Sequence, residues 1–170
     1  MSATDAHRDF VERLDRHRGI LQKVSSAYCR DAASREDLRQ EIVVQLWRSY
    51  ARFDESGRFA TWMYRIALNT AISFVRYRNR QDARVALAEP LILESVPAPT
   101  GEPQNERIER IYELVKGLDE LNRALMLLYL DDYSHAEIAA IVGISSSNVA
   151  TKIGRIKERI RRDVGAGLAR

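Results

Sequence analysis

One cysteine, Cys29, stands alone in 170 residues, so no internal disulfide can form, which fits a reducing compartment. Proline is missing except within one stretch of fourteen residues, where Pro90, Pro97, Pro99 and Pro103 fall together. No apolar run approaches the roughly 18–20 residues that a membrane span needs. Residues 1–18 are charged throughout and lack the apolar stretch of a signal peptide. A cytoplasmic protein without membrane insertion is therefore expected. The three histidines, His7, His17 and His135, are scattered. No Gly-rich phosphate loop, metal-spaced His/Cys cluster or nucleophile motif appears. The chain is expected to be no enzyme and to need no cofactor or metal. Strand signals, alternation with β-branched runs between turns, are essentially absent.

What the chain does have is charge, unevenly placed. Lys and Arg total 27 and Asp and Glu 24, a net charge of +3. Residues 1–80 hold 15 basic and 10 acidic side chains, residues 81–105 hold 1 and 4, and residues 106–170 hold 11 and 10. A basic excess concentrated in one part hints at a polyanionic partner. Hydrophobic residues at 45% and charged residues at 30% are ordinary for a folded chain and too apolar for a disordered one. The prolines, with Ser95, Thr100 and Gly101, remove backbone donors and disfavour helix, so an acidic linker is expected at about 82–105. It separates two small domains, 1–81 and 106–170.

Both domains read as helical, which makes the fold class all-α. In the first, a helix over roughly 8–30, whole or broken, supplies Leu14, Leu21, Val24 and Tyr28. Ser34 is expected to cap the next helix with Asp37, and Leu38, Ile42, Leu46 and Tyr50 recur at four-residue spacing. After a turn at 54–57, a segment from about Phe59 to Arg80 carries Phe59, Trp62, Met63, Ile66, Thr70 and Phe74 on one side. In the second domain, helices are expected near 108–116 and 119–130. A capping box of Ser134 and Glu137 then opens a short helix ending at Gly143, and Ser145 or Ser146 caps a last one. Val149, Ile153, Ile156, Ile160 and Val164 form its apolar stripe. The acidic pair Asp131-Asp132 reads either as a contact site or as a solvated turn, and the solvated turn is preferred.

Three constellations stand out. The short helix, tight turn and long basic helix of 134–163 have the layout of a helix-turn-helix. Away from the stripe face Ser146, Ser147, Asn148 and Thr151, which can reach base edges, and Lys152, Arg155, Arg159 and Arg162, which can meet phosphates. Residues 146–162 hold six basic side chains against one acidic, whereas 106–145 hold 4 basic and 8 acidic. A helical hairpin with a solvated basic face is the plainer alternative. The second constellation is 56–81, which has no acidic residue and carries Arg58, Arg65, Arg76, Arg78 and Arg80. Arg65, Asn69, Ser73, Arg76 and Arg80 share one helix face. Nearby aromatics suit single-stranded nucleic acid, whose bases stack while phosphates pair with cations. Trp62 and Phe74 read better as core; Phe53 fits core and stacking alike. The third constellation is the charged patch 35–41 opening a helix, which its dipole alone would explain.

Glu36-Asp37-Leu38, Gln40-Glu41, Arg52-Phe53-Asp54, the run from Phe59 to Ala67 and Asn69-Thr70-Ala71 occur in this order. Tyr129-Leu130, Tyr133-Ser134, Glu137-Ile138-Ala139 and Gly143-Ile144-Ser145 follow. Together they resemble an extracytoplasmic-function sigma factor of bacterial RNA polymerase, over roughly residues 8–163. The resemblance implies a sigma-two domain, a flexible linker and a sigma-four domain, directing promoter-specific initiation. It implies core RNA polymerase as a partner, contacted through Asp37, Gln40 and Glu41. It implies promoter DNA as well, with Phe53, Arg58, Thr61, Arg65, Asn69, Arg76 and Arg80 at the melted minus-ten element and the last helix in the minus-thirty-five major groove. An anti-sigma factor or other inhibitory protein is a further implied partner.

Some positions depart from the family's pattern. Arg39 replaces an apolar or neutral residue, and Ala150 and Gly154 stand where many members have a basic residue and a histidine. Gly154 also costs about 1 kcal/mol of helix propensity. The departure at Arg39 bears on the detail of the polymerase contact, and those at Ala150 and Gly154 bear on promoter sequence, not on the mode of binding. The rival reading is a helix-turn-helix transcriptional regulator with an N-terminal helical sensing domain, which leaves 53–80 without a purpose.

Overall fold

The computed structural model describes residues 3–86 and 103–167, with side chains over 4–84 and 110–165. The described residues form eight helices: α1 Ala3–Arg16, α2 Arg18–Tyr28, α3 Ala32–Tyr50, α4 Phe59–Ala86, α5 Pro103–Lys116, α6 Glu120–Leu130, α7 His135–Val142 and α8 Ser146–Gly167. No strand occurs among them. Of the segment 82–105, residues 82–86 end α4 and 103–105 begin α5, and the remainder lies outside the described residues.

The first helix is broken. His17 leaves the helical region at φ −114° and ψ 15°, and its Nδ1 donates to the Arg13 carbonyl at 2.8 Å. There α1 ends and α2 begins. The cap of α3 is Asp31, not Ser34. The Asp31 carboxylate accepts from the Ser34 backbone N–H at 2.7 Å and its hydroxyl at 2.5 Å. Ser34 instead lies buried inside the first turn. These two bonds hold the Asp31 carboxyl below the usual carboxylate range.

Packing follows the spacing of apolar residues. Leu38, Ile42 and Leu46 on α3 and Met63, Ala67 and Ala71 on α4 have no exposed surface, and Val24 on α2 joins them. The two alanines keep α4 narrow where α2 and α3 pack against it. The same core continues into the second half through Leu125, Leu128, Ile138, Ile141, Val149 and Ile153. The halves expected as separate domains therefore share a core. A smaller cluster of Val115, Leu118, Met126 and Ile156 ties α5 to α6 and α8.

The helix-turn-helix is α7 and α8. Ser134 and Glu137 form the reciprocal capping box. Gly143 turns the chain at φ 82°, its N–H donating to the Ala139 carbonyl at 2.8 Å. Ser145 Oγ then caps α8 through the Asn148 N–H at 3.2 Å. Val149, Ile153 and Ile156 are buried on α8, whereas Ile160 and Val164 are half-buried.

Two glycines of the same motif are expected to respond oppositely to alanine, because a Cβ at either would meet nothing within 4 Å but only Gly143 has positive φ. Gly143→Ala is expected to destabilise by about 1–2 kcal/mol through backbone strain. Gly154→Ala should stabilise by about 1 kcal/mol through helix propensity. Urea denaturation of both variants measures the pair, and equal signs would disprove the assignment.

Candidate nucleic-acid and polymerase interfaces

Burying one stripe of α8 turns the other outward. Ser146, Ser147, Asn148, Thr151, Arg155 and Arg159 are exposed, and Lys152 is half-buried. The Thr151 hydroxyl donates to the Ser147 carbonyl at 3.0 Å. Arg159 lies 3.9 Å from Asp163. Among the described residues, neither Lys152 nor Arg155 makes an ion pair. Lys157, which the sequence reading did not single out, is held inward at 3.0 Å from the Tyr129 hydroxyl and 5.1 Å over its ring. It braces α8 against α6 and is spent on that contact.

On α4 the face Arg65, Asn69, Ser73, Arg76, Arg80 is exposed as its spacing predicted. Two of its members, and Arg58 just before the helix, are nonetheless engaged. Arg58 meets Glu137 at 3.2 Å, Arg65 donates to the Ala140 carbonyl at 2.8 Å, and Arg76 lies 3.9 Å from Glu120. All three partners come from the second half. Asp131, read as part of a solvated turn, is also at this seam. It accepts from the buried Tyr64 hydroxyl and pairs with Lys23 at 2.5 Å. A buried phenol needs an acceptor, and none of the apolar residues beside Tyr64 on α4 supplies one. Burial and this carboxylate both push the Tyr64 phenol upward, so it stays protonated.

Phe53 sits half-buried in an aromatic group, 5.0 Å from Trp62, 5.5 Å from Phe59 and stacked 6.2 Å from Tyr50. The Arg13 guanidinium lies 5.6 Å from the Phe53 ring centroid. Tyr50 donates to Asp9, which also accepts from Arg13 at 3.0 Å. Burial first, then this bond, pushes the Tyr50 phenol up to about 12. The loop 51–58 is thus anchored at its base by rings while Arg52, Asp54 and Arg58 stay exposed. Phe74 is half-buried against the core, with Arg78 5.8 Å over its ring.

Helix α3 turns Asp37, Gln40 and Glu41 outward, opposite Leu38 and Ile42. Arg39 lies half-buried, paired with Glu36 at 3.0 Å. Beyond the acidic patch, α3 also exposes Val44 and Trp47, 41% and 44% accessible. The sequence reading passed over these two. Their signal was legible: both are apolar yet fall off the 38–42–46 stripe. Cys29 is buried at the end of α2, where burial pushes its thiol upward.

Comparison with known proteins agrees with this geometry. The family model for Sigma-70 region 2 matches residues 14–81 and that for Sigma-70, region 4 matches residues 108–160. An ECF RNA polymerase sigma-E factor of Escherichia coli (strain K12) is 31% identical over 150 residues, covering 81% of this chain and 78% of that protein. The ECF RNA polymerase sigma factor SigW of Bacillus subtilis (strain 168) is 26% identical over 165 residues, covering 91% and 88%. Among solved structures, the sigma factor RpoE in complex with the anti-sigma factor NepR from Bartonella quintana matches with a TM-score of 0.73 at 20% identity, covering 91% of this chain and 96% of that one. CnrH in complex with the cytosolic domain of CnrY matches with a TM-score of 0.66 at 24% identity, covering 94% and 90%. The chain belongs to the ECF branch of the sigma-70 family of RNA polymerase sigma factors. It acts in transcription initiation, and the sensing-domain regulator is not favoured. No described helix is long and apolar enough to cross a membrane.

Asp31 and Glu137, both caps, are held below their ordinary values of 3.8 and 4.5 by hydrogen bonds to Ser34 and Ser134 respectively. A lowered folded-state value means that each contributes stability above the unfolded value and loses it as pH falls through the folded one. Urea midpoints should therefore drop below about pH 4.5. Asp31→Asn should flatten the lower part of that profile, and an unchanged profile would rule out this cap as a source.

Proposed function

We propose that this sigma factor grips a promoter at two points. The first domain, residues 1–81, recognises and melts the minus-ten element, and the second, 106–170, reads the minus-thirty-five element. The segment 82–105 tethers them. In the first domain, a base flipped from the non-template strand enters the loop between Phe53 and Thr61, with Asn69 behind it. Unstacking costs a few kcal/mol, which a ring-anchored loop offsets by being formed in advance. Arg58, Arg65, Arg76 and Arg80 follow the phosphates of the single strand.

In the second domain α8 enters the major groove. Ser146, Ser147, Asn148 and Thr151 face base edges at its start, and Lys152, Arg155 and Arg159 meet phosphates. Asp37, Gln40 and Glu41 on α3 dock on core RNA polymerase. The carrying observation is the exposed α4 face of Arg65, Asn69, Arg76 and Arg80, for which a sensing domain has no use. The role is to position DNA and polymerase rather than to catalyse, in the cytoplasm where transcription occurs. A sigma factor of similar fold forms a complex with an anti-sigma factor, and we extend an inhibitory protein partner of that kind to this chain.

Lys152→Ala and Arg155→Ala are each expected to weaken binding to duplex minus-thirty-five DNA. Each should also lower the slope of log affinity against log salt by about 0.9, one phosphate's worth of released counterions. Fluorescence anisotropy across a salt series measures both quantities, and an unchanged slope would refute the phosphate contact.

Asn69→Ala should cut open-complex formation several-fold while leaving affinity for core polymerase intact. Run-off transcription with core polymerase, combined with permanganate footprinting, tests this. Loss of polymerase affinity would make Asn69 structural. If the wild-type chain bound duplex DNA but never core polymerase, the two-point reading would fall.

A further inference from the structure

Helix α1 carries Asp9 and Arg13 one turn apart, so both stand on one face. Between them in sequence, Phe10 turns into the core, its ring 5.0 Å from Tyr50 and 5.1 Å from Trp47. That contact docks α1 on the end of α3, next to the loop 51–58 that leads into α4. Asp9 and Arg13 precede residue 14, where the match to Sigma-70 region 2 begins, so their geometry alone speaks for their role.

Arg13 reaches three neighbours at once. Its Nε donates to both Asp9 oxygens at 3.0 Å, its Nη2 donates to Glu55 Oε1 at 3.3 Å, and its guanidinium lies 5.6 Å over the Phe53 ring. Asp9 also accepts from the Tyr50 hydroxyl. The Tyr50 bond first, then the Arg13 bond, hold the Asp9 carboxyl below the usual carboxylate range, so it stays a charged acceptor for both at neutral pH. The Glu55 side chain is 73% exposed, and its pair with Arg13 alone is worth little. The network does more than that pair, because Asp9 fixes the guanidinium and less side-chain freedom is lost when it meets the loop.

The far end of the loop is held from the same side. His17, just after α1, bonds the Arg13 carbonyl at 2.8 Å and packs its ring 5.2 Å from Phe59, the first residue of α4. Within the loop, the Asp54 carboxylate accepts from the Ser56 N–H and its carbonyl from the Gly57 N–H, both at 2.9 Å. Those bonds shape the turn. Its attachment to the helices of the first domain runs through the Phe53 ring and the guanidinium over it.

We propose that Arg13, fixed by Asp9, is a positioning residue for this loop: acting from α1, it holds 51–58 in the arrangement that receives a base flipped from the non-template strand, without touching DNA itself. The proposal rests on the reading of the loop as the base pocket. A loop ordered in advance loses less freedom when the base enters. Without the guanidinium, Glu55 and one side of the Phe53 ring are released, and the ordering cost falls on base capture instead. Melting suffers, while the contacts made by α3 and α8 do not.

Arg13→Ala removes the bridge, and Asp9→Asn loosens it while keeping the shape of the side chain. Circular dichroism establishes that each variant keeps its helices, and Asp9→Asn stands alone if Arg13→Ala loses them. Hydrogen exchange of the full chain reads the brace directly. Amides of residues 52–57 should exchange several-fold faster in both variants, with those from Leu38 to Leu46 of α3 unchanged. Holoenzyme assembled from core polymerase and the full chain reads the consequence, on a promoter that the wild type transcribes. Abasic sites are scanned along the non-template strand of its minus-ten element, and open complexes are measured by permanganate footprinting. The wild type should lose most at one position. Each variant should form about three- to tenfold fewer open complexes on the intact promoter and lose little more at that position, with affinity for core polymerase unchanged. Unchanged loop exchange, lost polymerase affinity, or an abasic penalty as large in the variants as in the wild type would overturn the brace and leave the base-pocket reading intact. A wild type with no single sensitive position would instead overturn the base-pocket reading, and the role of Arg13 with it, even if the loop exchanges faster in the variants.

Discussion

Helix α4 has to bury one stripe and expose another along 28 residues, and the other elements are arranged around that division. Met63, Ala67 and Ala71 lie on the buried side with no exposed surface. Small side chains there let α2 and α3 come close, and dispersion contacts grow steeply as such gaps close. Arginines on the opposite side cannot be buried without partners, so that side faces solvent or an anion. Tyr64 falls between the two stripes. Its ring belongs in the core and its hydroxyl needs an acceptor, and Asp131 from the second half meets that need.

This one helix also accounts for the uneven charge. The acidic excess before α8 and the basic excess of the first eighty residues face each other across the seam, in Arg58–Glu137, Lys23–Asp131 and Arg76–Glu120. Exposed pairs of this kind are worth little, about 0–1 kcal/mol each. The apolar contacts and the Tyr64 bond hold the halves together, while the charges set how they align. The basic face of α8 is left free of such pairing at Lys152 and Arg155, consistent with a separate target.

Much of the candidate site was legible residue by residue. The three-and-four spacing of Arg65, Asn69, Ser73, Arg76 and Arg80 placed them on one face because helical periodicity leaves no other arrangement. The capping box at Ser134 and the turn at Gly143 were readable because the bonds involved are local. Ser34 was misread as a cap because Asp31, three residues earlier, competes for the same helix end, and the carboxylate prevails by taking both the backbone N–H and the hydroxyl. Val44 and Trp47 escaped notice although their register places them off the buried stripe. Asp131 was beyond local reading, since its partner Tyr64 lies 67 residues away in the chain.

The sequence by itself determined the described helices in outline, save for the break in the first, and with them the helix-turn-helix, the outward faces of α3, α4 and α8, and the resemblance that led to the family. All of these depend on neighbours within about one or two helical turns, where spacing dictates which side chains meet. Only the tertiary structure decided that the two halves share one core, that an apparently solvated acidic turn receives a buried phenol, and that Arg58, Arg65 and Arg76 are engaged within the chain. Those outcomes depend on which unpaired groups find each other across long chain separations, where the requirement to satisfy a buried polar group, rather than periodicity, selects the partner.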